Sequence, residues 1–287
     1  MCKAKIFCIL LLLFSLESSP AVANVTTHSN HKASHSLAKS NRHVATHGHR
    51  YARHHRANRS QGPTVEQVPQ EIYPPGHKFT PEEKAEASQI GLLEENGLWK
   101  EAFKAATKAG KEHPERWWLQ AARAAAASNL NRPKDVIDAV NAAIQNNAGD
   151  ANRLNMAQLY TLRANAYSRL GRKADALTDF KSAINLSKTD PMCRAGAAWL
   201  YATSSDPQIR NGPAAVALAT ESAKLTQWKD DTVLDVLAAG YAEIADFSAA
   251  QKWEEKAILL GGQEDIPFYQ RRLESYQSGK PWRENSR

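Results

Sequence analysis

The sequence predicts an all-α protein, a solenoid of about five helix pairs plus a C-terminal capping helix. Three observations predict it. Small residues recur seven apart, at Ala102 with Ala109, Val136 with Ala143, Ala176 with Ala183, Ala215 with Ser222, and Ala250 with Ala257. Residues seven apart share a helical face, where small side chains let paired helices approach closely. Successive pairs are offset by 34, 40, 39 and 35 residues, a period typical of stacked helical repeats. No segment shows sustained period-two alternation, so strands are not expected.

Taken in order, the elements follow from local signals. Pro81, Pro114, Pro133, Pro191 and Pro213 sit at proposed helix starts or stops. Gly97, Gly171 and Gly212 sit in proposed turns. The two long offsets are explained by loops, Asn147-Ala148-Gly149-Asp150 between the second and third units and residues 204–212 within the fourth. The third unit, YTLRANAYSRLGRKADALTDFKSAINL over 160–186, has Ala164 and Tyr167 in its first helix and Ala176, Phe180 and Ala183 in its second. A last helix, about 265–277, carries Tyr269, Leu273 and Tyr276 on one face, with Arg271, Arg272 and Glu274 pointing elsewhere. A solenoid needs such a terminal cap with a polar outer face.

Over residues 82–262 this pattern resembles the tetratricopeptide repeat (TPR) family, on Tyr167, Leu170-Gly171, Ala176 and Phe180 in the third unit and Tyr241, Ala250 and Ala257 in the fifth. Gly97, Ala102, Ala109 and Pro114 carry it in the first. The second unit departs through Val136 and Asn131, and the fourth through its long turn and Ser222. The resemblance implies a right-handed superhelix whose first helices line a concave groove where a protein or peptide binds. Facing residues are then Gln158, Thr161, Asn165, Ser168 and Arg169 in the third unit, and Thr232, Asp235 and Glu243 in the fifth. Asn165 stands where carboxylate-clamp members of the family place an asparagine, but Ala197 and Tyr201 replace the basic residues such a clamp requires. The ending RRLESYQSGKPWRE, from Arg271, is similar to the closing segment of repeat arrays in certain bacterial proteins, where the arrays are interaction modules.

The first 80 residues differ in kind. Residues 1–23 read as a cleavable export signal: Lys3 and Lys5, an apolar run from Ile6 to Leu16, then Ala21-Val22-Ala23. The run is too short to span a membrane. The expected location is the periplasm or the cell exterior. Residues 24–80 read as a disordered tail, His-rich and basic, then Pro-rich. Eight of the ten histidines are here, His28, His31, His35, His43, His47, His49, His54 and His55. Such a tract can hold zinc, nickel or copper, attract anionic polymer or membrane, or serve as a solvated linker. The composition favours the linker, because no four-ligand spacing recurs.

Charge follows the same division. Residues 24–65 hold seven Lys or Arg and no acid, which accounts for the whole net charge of +7. Residues 66–287 carry 28 basic and 29 acidic groups, a balance that excludes a basic folded nucleic-acid-binding domain.

Catalytic motifs are missing from the sequence: no G-x-S-x-G, H-E-x-x-H, phosphate loop or C-x-x-C occurs. Glu82-Glu83, Glu94-Glu95, Asp230-Asp231 and Glu254-Glu255 read as solvated helix ends and outer faces. Cys193 reads as a packing residue, and Trp117, Trp118, Trp199, Trp228 and Trp253 read as core between repeats rather than a ligand platform. The expected function is that of an exported, non-enzymatic interaction scaffold without a cofactor. The alternative is a metal-handling or anion-tethered protein acting through its tail.

Overall fold

A computed structural model describes residues 79–146 and 151–284. The export signal, the His-rich tail, its eight histidines and the loop at 147–150 lie outside the described residues. Among the described residues there are eleven α-helices and no strand. Five antiparallel pairs follow one another: α1 (Pro81–Glu95) with α2 (Trp99–Glu112), α3 (Trp117–Asn129) with α4 (Pro133–Gln145), α5 (Arg153–Arg169) with α6 (Lys173–Leu186), α7 (Pro191–Thr203) with α8 (Gly212–Leu225), and α9 (Asp231–Glu243) with α10 (Phe247–Leu260). A last helix, α11 (Ile266–Gln277), packs on α10. Each helix packs against the next, and first helices also meet, α3 with α5, α5 with α7, and α7 with α9. This succession of repeated pairs is TPR-like.

Local chemistry sets the boundaries. Thr80 and Glu83 form a capping box, with the Glu83 N–H donating to Thr80 Oγ1 and the Thr80 N–H to Glu83 Oε2. Pro81, Pro133 and Pro191 open their helices, where the missing N–H costs nothing. Asn152, Asp190, Asn211, Asp230 and Asp246 cap α5, α7, α8, α9 and α10 through their side chains. Four turns inside pairs place one residue in the left-handed region, Gly97 at φ 71°, Asn131 at 56°, Gly171 at 76° and Ala245 at 62°. Glycine takes that conformation without strain, whereas Ala245 pays for its Cβ. Gly212, expected in a turn, is instead the buried first residue of α8.

The ten small or branched residues at seven-residue spacing are all buried. Ser222 is the polar exception among them, and its hydroxyl donates to the Pro191 carbonyl at 2.9 Å, so its burial is compensated. In the third unit Phe180 lies beside Gly196 of α7. A Cβ added at Gly196 would stand 2.3 Å from the Phe180 ring, so the glycine makes room for it. Trp117 and Trp118 are buried. Trp199, Trp228 and Trp253 pack against the core of the fourth and fifth units, with the Trp228 and Trp253 rings stacked at 5.1 Å.

The acidic pairs require correction. One member of each, Glu83, Glu94, Asp231 and Glu254, is buried rather than solvated. Neighbours on a helix point about 100° apart, so when one faces water the other can face the adjoining helix. Buried carboxyls need partners, and two are plain: Glu83 lies 3.4 Å from Arg116 Nε, and Asp231 accepts from the Tyr269 hydroxyl at 3.0 Å.

Candidate functional site

The predicted recognition residues of the third unit all lie on α5. Thr161 is buried and its hydroxyl donates to the Ala157 carbonyl at 2.9 Å, which removes it from any outer surface. Gln158, Asn165, Ser168 and Arg169 are half-buried. Arg169 reaches across to α3, where Nη1 donates to the Ser128 carbonyl at 3.2 Å. Among the described residues no carboxylate pairs with it, and burial holds its pKa below the ordinary range. Its neighbour Arg163 is committed otherwise. Its guanidinium makes a two-pronged contact to Asp179 of α6 at 2.7 and 2.9 Å, and a third bond to Asn141 at 2.6 Å.

In the fifth unit Thr232 is half-buried, but Asp235 and Glu243 are engaged by the chain itself. Asp235 is 1% exposed and accepts from Arg272 Nη1 of α11 at 2.9 Å. Arg272, expected to point outward, is buried, with its guanidinium over the Trp199 ring at 4.8 Å. The physical reason is its neighbour Glu254, fully buried on α10, whose carboxyl lies beside that of Asp235. Two carboxyls in apolar surroundings cannot both ionise. Burial, reinforced by the Asp235 charge, pushes Glu254 up to about 11, so it stays protonated while Asp235 faces the guanidinium. The same burial raises Asp235 from its ordinary value and carries Tyr276 well above its own. Glu243 bonds Arg210 at 3.2 Å and Arg283 at 2.5 Å.

Sequence reasoning missed Arg272 and Glu254. A register comparison could have flagged the latter: four residues beyond the small residue that opens the second helix, the third unit has Phe180 and the fifth has Glu254.

The remaining chemistry is sparse. Cys193 is buried, and burial pushes its thiol up to about 12, which suits a packing role and not a nucleophile. Among the described residues no group of three or more His, Cys, Asp or Glu is placed to hold a metal, and no helix is long and apolar enough to cross a membrane. An open depression of about 380 Å³ between α6 and the long turn is lined by Leu177, Lys181, Tyr201, Ile209 and Arg210. Its lining includes neither a carboxylate nor a histidine.

No protein-family model matches this chain, and no curated protein matches it. Among solved structures, the C-terminal part of a TPR repeat-containing protein from Cytophaga hutchinsonii is similar, at TM-score 0.48 and 15% identity, over 67% of this chain and 71% of that one.

Proposed function

We propose that the protein is a non-enzymatic interaction scaffold of the extracytoplasmic space, which binds a protein or extended peptide in a groove lined by the first helices. One observation carries this. Among the described residues, the half-buried guanidinium of Arg169 has one backbone acceptor and no carboxylate partner, on a helix that also presents Gln158, Asn165 and Ser168. A half-desolvated cation of this kind gains most from an incoming carboxylate or carbonyl. The export-like first 23 residues support the location.

The test is capture from the periplasmic or secreted fraction by the full chain, beside Arg169→Ala and Asn165→Ala variants. The scaffold reading expects a protein retained by the wild type and lost from both variants. Retention by all three alike moves recognition off α5.

A second reading rests on the eight histidines and seven basic residues of 24–65, which suit divalent metal or an anionic polymer. Metal binding there should weaken steeply from pH 7 to pH 5, because a ligating imidazole must be neutral. Calorimetry with zinc on the chain carrying Asn at all eight positions should show no uptake.

A further inference from the structure

Beyond α11 the chain turns back on itself. Gly279 sits at φ 67° and the Lys280 N–H donates to the Ser275 carbonyl, and the next residues then cross three repeat units. Trp282 packs with Tyr276 against Ala238 and Ala242 of α9. Arg283 reaches Glu243 at 2.5 Å and donates to the Ala202 carbonyl of α7 at 3.1 Å. The Glu284 N–H donates to the Thr203 carbonyl at 2.9 Å. Its carboxylate accepts from Trp199 Nε1 at 2.6 Å and from Lys173 Nζ of α6 at 2.9 Å.

Three successive side chains are therefore read in three different ways: an aromatic ring by small residues, a guanidinium by a carboxylate and a carbonyl, and a carboxylate by an indole N–H and an ammonium. A main-chain bond fixes the register, as in the capture of an extended peptide. The side chains of Arg283 and Glu284 nevertheless remain 34% and 30% exposed, so these two ionic contacts are open to exchange with solvent or a competing ligand.

We infer that Lys173, Trp199, Glu243 and the carbonyls of Ala202 and Thr203 form a recognition site for an extended peptide presenting an aromatic residue, a cation and a carboxylate in succession, and that residues 282–284 occupy it in competition with such a partner. This rests on the scaffold reading and adds to it the chemistry of the ligand and a built-in competitor. A segment tethered beside its site acts at millimolar effective concentration, so it masks the site from a dilute partner of similar affinity.

The probe is a labelled, end-blocked peptide with the sequence of residues 279–284, titrated into the full chain. A Trp282→Ala/Glu284→Ala variant should bind it at least about tenfold more tightly than the wild type does. Adding Lys173→Ala to that variant should remove about tenfold of the gain. Equal binding to wild type and double variant overturns the inference, as does a gain insensitive to Lys173. Should the double variant lose its helical signal, Glu284→Ala alone should still bind the probe more tightly than the wild type, and failure there overturns the inference too. Failure of the probe while capture remains sensitive to Arg169 removes the self-occupied site and leaves the scaffold reading standing.

Discussion

The third and fifth units share a backbone plan and close it by opposite means. In the third, Phe180 fills the space between helices and Gly196 yields to its ring. In the fifth, the equivalent position holds Glu254, which needs a proton, Asp235 and Arg272 to be tolerated. The turns differ in the same sense: Gly171 adopts its left-handed conformation freely, whereas Ala245 adopts it under strain. The third unit is thus stabilised within its own sequence and its immediate neighbours. The fifth depends on a helix that lies outside the repeat and closes the array. A solenoid is held by nearest-neighbour interfaces, and here the last interface holds a buried ion pair between the apolar contacts of Tyr269 and Tyr276.

That contrast can be broken or sharpened by mutation. The largest effects should come from its two centres. Phe180→Ala should cost about 3–5 kcal/mol as a cavity. Arg272→Ala should cost about as much, 3–5 kcal/mol, because it leaves the Asp235 charge buried alone. Denaturant unfolding measures both, and hydrogen exchange should place the first loss in α5–α7 and the second in α9–α11. Gly196→Ala comes next, at about 1–3 kcal/mol, since its Cβ would collide with the Phe180 ring. Smaller again are the turns. Gly171→Ala should destabilise and Ala245→Gly should stabilise, each by about 1 kcal/mol in thermal melts. If both turn variants shift the melting temperature in the same direction, the difference in strain is not real.

Much of the third unit was legible because its chemistry is local. Apolar spacing, Gly171 and the small pair Ala176 and Ala183 are all set within one repeat, and the structure buries both alanines. The fifth unit was legible as a helix pair but not as a site. Asp235 and Glu243 look like free surface acids until Arg272 and Arg283 arrive from beyond the repeat. Periodicity assigns a face to a residue, and cannot tell whether a later segment will cover that face. Glu254 shows the same limit. A charged residue beside another charged residue reads as solvated, yet its register placed it where Phe180 is buried. Thr161 failed for a simpler reason, because a hydroxyl that bonds its own helix can be buried at little cost.

The most direct test of an ionic closure at one end and an apolar closure in the middle is the pH dependence of stability in the wild type and in Glu254→Gln. Folded, Glu254 keeps its proton up to about 11, and unfolded it releases the proton near its ordinary 4.5. Between those values the folded chain binds more protons, so the stability that protonation supplies is full below pH 4.5 and is lost as the pH rises toward 11. Glutamine mimics the protonated carboxyl and has no proton to lose. Unfolding free energies measured from pH 5 to pH 9 should therefore fall more steeply for the wild type than for Glu254→Gln, with the variant gaining steadily at alkaline pH. Parallel curves over that range would contradict a protonated Glu254 at the closing interface.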